Sequence, residues 1–139
     1  MATTPIDRMT ATLDFQAAAL SLQAQRAKVL ASNIANADTP NYQAKDFDFS
    51  QALAQATQSA AQNPGTPART HPGHLAAAGA GAPGPVLQYR QPLQASLDGN
   101  SVDLDTERAA FAENSVRYEA TLRFLNGQIK TMLTAINGQ

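Results

Sequence analysis

Apolar side chains recur every seven residues in two stretches of the chain, one near each end. Within each stretch the steps between apolar positions alternate between three and four residues. This spacing puts a narrow apolar seam on one side of a helix and favours left-handed supercoiling against a partner. The pattern predicts two long helices, over residues 6–36 and 104–136. The predicted seam residues are Leu13, Leu20, Ile34, Leu104, Phe111, Tyr118, Leu122, Leu125, Ile129, Met132 and Ile136.

The two predicted helices are similar in length and complementary in the size of their side chains. At 1.5 Å per residue they are about 46 and 50 Å long. The first carries a companion row that is largely alanine, whereas the second carries large apolar residues. Large side chains can lie over small ones and bring two axes close together. We therefore expect a mainly α fold in which the terminal helices pair as an antiparallel, coiled-coil-like hairpin.

Turn and capping residues mark the ends of these helices. Pro40 lacks a backbone donor and biases Thr39 away from helical angles, so the first helix should stop between residues 36 and 39. The turn sequence Asp98-Gly99-Asn100 precedes the second helix, for which Asp103 is a candidate N-cap. Asn137-Gly138 is a plausible stop for the second helix.

The middle of the chain has a different composition. Residues 48–62 predict a short third helix, and residues 86–90 are a candidate short strand. Between them, residues 63–85 hold five prolines and five glycines, which is typical of a flexible linker. We expect three parts: residues 1–62 with the first helix, the motif that follows it and the short helix; the linker 63–85; and residues 86–139 with the extended segment, the turn and the second long helix.

Composition and charge narrow the possible functions. Of 139 residues 28 are alanine, whereas Leu, Ile, Val and Phe together number 26, so large core side chains are scarce for one compact domain. The net charge is −1 without a basic cluster, which argues against nucleic acid as a partner. No apolar run is long enough to span a bilayer, and the first fifteen residues lack the apolar stretch of a cleaved signal peptide.

Candidate chemistry is sparse. The chain has no cysteine, and its two histidines, His71 and His74, lie in the Pro/Gly linker, which supplies no fixed further ligands for a metal. The carboxylates around residues 98–107 do not fit a calcium-binding loop, and a turn followed by a helix cap explains them. No nucleophile motif or phosphate-binding loop is present. We therefore expect no metal, no cofactor and no catalytic residues.

The polar residues that follow the first helix exceed what helix termination needs. A helix end requires one cap and one breaker, yet this segment carries several amides, an acid, a hydroxyl and then aromatic residues. Such side chains can bind backbone groups and fill grooves of an adjoining chain, although helix termination alone is the simpler alternative. The residues concerned are Asn33, Asn36, Asp38, Thr39, Pro40, Asn41 and Tyr42, followed by Phe47 and Phe49.

Two segments resemble a known family. Residues 31–49, ASNIANADTPNYQAKDFDF, resemble the N-terminal signature of flagellar basal-body rod proteins, and residues 96–136 resemble the C-terminal part of the proximal-rod type. The family often has Gly where this chain has Asn41, a residue that tolerates positive φ. The resemblance assigns an assembly signature to Asn33, Asn36, Asp38, Thr39, Pro40, Tyr42, Asp98, Gly99, Asn100, Val102 and Asp103.

The resemblance implies a structural subunit and not an enzyme. Such a protein would be exported through the flagellar type III apparatus without a cleaved signal and would assemble in the periplasm into a helical tube that transmits torque and carries the export channel. The implied partners are copies of the chain, other rod proteins, a FliE-type adaptor, the MS ring and the export gate, with no nucleic acid and no insertion into the membrane. The alternative is a soluble helical adaptor or type III export chaperone that binds a partner helix transiently.

Overall fold

The computed structural model describes residues 5–62, 84–92 and 96–138. Along the chain it contains α1 (Pro5–Ala35), β1 (Lys45–Asp46), α2 (Phe49–Gln62), β2 (Gln88–Tyr89) and α3 (Leu104–Asn137). The expected mainly α architecture is confirmed, and each long helix begins and ends within one residue of its predicted bounds. The linker predicted over 63–85, with His71 and His74, lies outside the described residues apart from its last two positions. The proposed division into three parts stays a prediction.

The two long helices lie side by side and run antiparallel. Near the end of α1, Asn33 contacts Glu107 at the start of α3, and Gln23 contacts Thr121 further along. At the other end, Met9 lines the same groove as Phe124. Residue numbers therefore rise on α3 as they fall on α1, which is the hairpin that the heptad pattern predicted.

Both ends of α3 follow the predicted capping rules. The Asp103 carboxylate accepts hydrogen bonds from the backbone N–H groups of Asp105 and Thr106, which lowers the pKa of Asp103. At the other end, Gly138 adopts a left-handed conformation and its N–H donates to the Thr134 carbonyl. These bonds satisfy backbone groups that a helix end leaves without partners.

A short antiparallel sheet joins two segments that are distant in sequence. Lys45 pairs with Tyr89 and Asp46 with Gln88, so β2 falls inside the predicted strand over 86–90. β1 was not predicted, because two residues are too few to show an alternating pattern. The Lys45 ammonium also lies 5.7 Å from the centre of the Tyr89 ring. The sheet thereby brings the segment 84–92 against the end of α1.

A small apolar cluster holds α2 against α1. Leu22, Phe47 and Ala52 are buried together, and half-buried residues surround them. Phe47 thus lies inside the chain. The helix α2 starts where the Asp48 carboxylate accepts hydrogen bonds from the Ser50 hydroxyl and the Gln51 N–H, and these bonds lower the pKa of Asp48. The core is small for a chain of this length, which leaves much of α3 uncovered.

Candidate functional site

The predicted apolar seam divides into two surfaces. One row of α3 lies half-buried towards α1, with Phe111 at its margin 37% exposed. The seam residues of α1 are half-buried as well. The second predicted row of α3, which contains Leu122, Ile129 and Ile136, lies about 40° around the helix from the inner row and is exposed. The inner row consists of Leu104, Phe111, Tyr118, Leu125 and Met132, and its counterparts on α1 are Leu13, Leu20 and Ile34.

We call the uncovered surface the outer strip and define it as Leu122, Ile129, Leu133 and Ile136. Their exposed fractions are 37%, 42%, 55% and 77%, so exposure increases towards the end of the helix. Side chains three, four and seven positions apart lie on one face of a helix, so these four residues share a face, with the exposed Asn126 between Leu122 and Ile129. An exposed apolar strip is a feature of interaction sites.

A polar row that sequence reasoning missed runs between the two helices. Asn114 is buried and donates from Nδ2 to the Gln23 carbonyl over 2.9 Å. Gln23 is also buried, and its Nε2 donates to the Thr121 hydroxyl over 3.1 Å. The polar positions of α3 that belong to this row are Glu107, Asn114, Thr121 and Gln128, which are themselves spaced by seven residues. That spacing is the signal from which the row could have been predicted.

The Asn33 side chain is fully hydrogen-bonded where the end of α1 meets the start of α3. It is completely buried, and its Nδ2 donates to the Lys45 carbonyl over 2.7 Å and to Glu107 Oε2 over 3.1 Å. Its Oδ1 accepts from the Lys45 N–H over 3.1 Å and from the Tyr42 hydroxyl over 3.2 Å. An amide can make four hydrogen bonds, and all four are made here. Asn33 thus fixes α1, β1 and α3 relative to one another.

Charged side chains surround this asparagine. The Arg26 guanidinium donates two hydrogen bonds to Asp46, over 3.1 and 3.0 Å. Arg90 bridges two acids, since it contacts Asp46 through Nη2 and the buried Glu107 through Nη1 over 2.5 Å. A buried carboxylate without a cation would be costly, and Arg90 supplies the cation. The segment that carries β2 is therefore required to neutralise an acid on α3.

The pKa of Asp46 reflects the balance of burial and hydrogen bonding. Burial acts to raise the pKa, but hydrogen bonds from Arg26, from the Phe47 N–H and from Arg90 outweigh it, and the pKa of Asp46 is lowered. The hydrogen bond to Asp46 correspondingly raises the pKa of Arg26, against the opposing effect of burial. Asp46 and Arg26 therefore form a charged pair throughout the neutral range.

Asn100 binds the turn that follows α1. Its Nδ2 lies within 3.0, 2.7 and 2.9 Å of the carbonyl oxygens of Asn36, Ala37 and Thr39. Its Oδ1 accepts from the Val102 N–H over 2.8 Å. All three carbonyls belong to the turn that follows α1, so one side chain holds this turn in place. α1 itself ends at Ala35, before the predicted stop between residues 36 and 39.

The turn before α3 fits against the turn after α1. Asn41 has a φ of +60° and Gly99 a φ of +71°, and the Asn41 N–H donates to the Asp98 carbonyl over 2.9 Å. A Cβ on Gly99 would lie 2.6 Å from Asn41 Oδ1. The positive φ at Asn41 agrees with the expectation that an asparagine can stand where the family has glycine. We call Asn33, Asp46, Arg90, Asn100 and Glu107 the joint, since together they connect these turns and strands to both long helices.

The joint absorbs much of the predicted assembly signature. Asn33, Tyr42, Asn100 and Gly99 are used within the chain, and Asn36 and Thr39 bond to each other and to neighbouring turns. In contrast, Asp38 and Pro40 are exposed. The structure thus brings the two signature segments together, although 55 residues separate Tyr42 from Asp98 in the numbering. Contact of these residues with a second chain stays a prediction.

The described residues offer no arrangement typical of a metal centre or a membrane span. Across 5–62, 84–92 and 96–138, no group of three or more His, Cys, Asp or Glu side chains could hold a metal ion. In the same ranges, none of the helices combines the length and apolar character needed to cross a bilayer. The features that bear on function are the exposed apolar surface and the joint.

Comparison with known proteins agrees with these features. A family profile described as flagella basal body rod protein matches residues 13–43, which include most of α1 and the turn after it. The chain is 47% identical over 133 residues to the flagellar basal body rod protein FlgB of Escherichia coli, covering 94% of this chain and 96% of that protein. It is 45% identical over 135 residues to FlgB of Salmonella typhimurium, with 96% and 98% covered. FlgB of Cereibacter sphaeroides is 45% identical over 127 residues, with 91% and 94% covered.

Proposed function

The chain belongs to the FlgB family of flagellar basal body rod proteins, and from this we propose that it is a structural, non-catalytic subunit that assembles through its terminal helices. The single observation that carries the proposal is the outer strip of α3. The hairpin uses one face of α3 internally and leaves a second apolar face, Leu122 to Ile136, open. A neighbouring subunit that covers this face would remove apolar area from water, which is the main driving force of association.

The magnitude of this term follows from the exposed fractions of the four side chains. Full burial of a Leu or Ile side chain contributes about 1.5–3 kcal/mol. The four strip residues are partly covered in the free chain, so their further burial is worth on the order of 4 kcal/mol for each copy. Repeated along a helical array in which every subunit meets several neighbours, such contacts add up, whereas one isolated pair would be weak.

The joint supports the same role by holding α1 and α3 in a fixed relation. A subunit that passes on torque has to keep its shape under load, and buried hydrogen-bond networks make a structure rigid. Asn33 and Glu107 supply such a network at the end of the hairpin. In this proposal the joint keeps the outer strip at a constant position and angle for the neighbouring chain.

The proposed partners are copies of the chain, other rod proteins, and a FliE-type adaptor next to the MS ring and the export gate. The proposed location is the periplasmic rod, reached by type III export without a cleaved signal, and the assembled tube would carry the export channel. The family membership and the exposed helix face support these assignments. A soluble adaptor or export chaperone is the competing function, and it would stay in the cytoplasm.

The test uses substitutions that leave the hairpin intact. Leu133→Asp adds a charge to the strip at an exposed position. We expect a bacterial strain that lacks its own copy of this rod protein to stay non-motile when it is given this variant. Ala120→Asp is the matched control, because Ala120 is exposed and lies half a turn around α3 from Ile129. Leu125→Asp is less informative, since Leu125 is half-buried against α1 and its change disturbs the fold. Equal swimming with Leu133→Asp and Ala120→Asp would contradict the role of the strip.

A further inference from the structure

Besides the outer strip, α3 has a second apolar surface in a groove that it forms with α1. Two apolar side chains of this groove reach solvent, since Phe124 is 68% exposed and Met9 is 37% exposed. Among the described helices and strands only α1 packs against α3, so no further element covers the groove. We call this surface the groove and define it by Met9, Thr12, Phe124, Gly127, Gln128 and Thr131.

The α3 side of the groove has the spacing of a hole for a side chain of another helix. Positions i, i+3, i+4 and i+7 of this side are Phe124, Gly127, Gln128 and Thr131. Four residues with this spacing form the hole that receives a side chain of the facing helix in a coiled coil. The hole is open at Gly127, because a Cβ there would meet nothing within 4 Å. The groove therefore has room for large apolar side chains.

The groove and the outer strip lie on opposite sides of α3. Phe124 and Leu133 are nine residues apart, which corresponds to half a turn around the helix. The strip offers large Leu and Ile side chains, whereas the groove offers space beside a glycine and two threonines. Large side chains that lie over small ones bring two helix axes close together. One copy of the chain can thus offer its strip to one neighbour and its groove to another.

The area of the strip favours this arrangement over a symmetric pair of copies. The strip offers on the order of 200 Å² of apolar surface, whereas a stable pair buries about 800 Å² on each partner. A symmetric pair in which strip packs against strip would also leave Phe124 and Met9 in water. Contacts between strip and groove instead use both apolar surfaces of every copy, and each copy then meets two neighbours.

We propose that the outer strip of one copy docks into the groove of the next copy. This inference rests on the proposed function and deepens it, because it names the surface that covers the strip. The contact joins two different surfaces, so its repetition gives an open array of copies and not a closed pair. Ala120 lies one turn before Phe124 and outside the residues that line the groove, so Ala120→Asp remains a control for the strip.

Cysteine cross-linking in purified hook–basal bodies tests this contact, because the chain has no native cysteine. Leu133→Cys marks the strip and Thr131→Cys marks the groove, both at exposed positions. The two positions lie about 200° apart around α3, which prevents a cross-link within one chain. With a short bismaleimide, the chain that carries both substitutions should give a ladder of dimers, trimers and larger species. Each single variant should stay monomeric.

Gly127→Leu tests the groove without weakening the hairpin. Leucine favours a helix more than glycine does, so the purified variant should be at least as stable to heat as the unsubstituted chain. Its amount in basal bodies should nevertheless fall about tenfold or more, because its side chain occupies the space that the strip of the next copy needs. Ala112→Leu is the matched control, since it adds the same side chain at an exposed position of α3 outside both surfaces.

Three results would overturn the proposal. Dimers from Leu133→Cys alone would mean that strips pack against each other. A doubly substituted chain that enters basal bodies but gives no cross-linked copies would mean that a different rod protein covers the strip. Normal assembly of Gly127→Leu would mean that the groove is not used. Absence of the unsubstituted chain from basal bodies would instead contradict the proposed function, and this inference with it.

Discussion

Asn33→Ala should lower the free energy of unfolding far more than Asn36→Ala, the same change three residues later. Asn33→Ala deletes four hydrogen bonds at a completely buried position. Three polar groups then lose the Asn33 amide as a partner: the Lys45 N–H, the Lys45 carbonyl and one carboxylate oxygen of Glu107. Each buried polar group left unpaired costs about 1–3 kcal/mol, and water can reach half-buried Lys45, so we expect a loss on the order of 3 kcal/mol in the free energy of unfolding.

Asn36→Ala is the matched control. The Asn36 side chain bonds only locally, to the Ser32 carbonyl over 2.8 Å and to the Thr39 hydroxyl over 3.2 Å, and it is half-buried. Water can replace these bonds, so this variant should lose less than about 1 kcal/mol. Urea unfolding followed by far-ultraviolet circular dichroism measures both values. Equal losses for the two variants would refute the view that Asn33 connects α1, β1 and α3.

The remaining predictions concern two glycines and the ion pair of Asp46. Gly99→Ala should lower the melting temperature, because a Cβ would lie 2.6 Å from Asn41 Oδ1 at a φ of +71°. Gly127→Ala should instead stabilise α3 by about 0.5–1 kcal/mol, because a Cβ there meets nothing within 4 Å. The lowered pKa of Asp46 means that its contribution is complete above its unfolded pKa, about 3.9, and is lost as pH falls through the folded pKa. An acid titration of stability should thus fall more steeply below about pH 4 for the unsubstituted chain than for Asp46→Asn. Arg26→Met should reduce that difference, because Arg26 supplies two of the hydrogen bonds that lower the pKa of Asp46, while those from Phe47 and Arg90 remain.

The long helices could be predicted from the sequence because their signals are local and repeated. Heptad spacing located both α1 and α3, and Asp103 identified the start of α3, because a cap acts on residues two and three positions away. The short strand β2 was located by its composition. Its partner β1 was missed, since two residues carry no periodic pattern and pair only through tertiary contacts.

The joint could be predicted only in part. The resemblance marked Asn33 and Asn100 as important, but nothing in the sequence indicates that one binds the backbone of Lys45 in β1 and the other holds the turn after α1. Glu107 belongs to the carboxylates around residues 98–107 that a turn and a helix cap were expected to explain, whereas it is buried and paired with Arg90. These contacts could not be predicted because the residues are far apart in the sequence. Local rules describe single helices and not the contacts that connect them.

The rod assignment is tested most directly by locating the chain in the cell. Hook–basal bodies are purified with detergent from flagellated cells that carry the chain, its Leu133→Asp variant or its Ala120→Asp variant, and each is blotted beside the cytoplasmic fraction. The account predicts that the unsubstituted chain and Ala120→Asp are present in the basal bodies, whereas Leu133→Asp is absent from them. Confinement of the unsubstituted chain to the cytoplasm would contradict the rod function and would favour an adaptor or export chaperone.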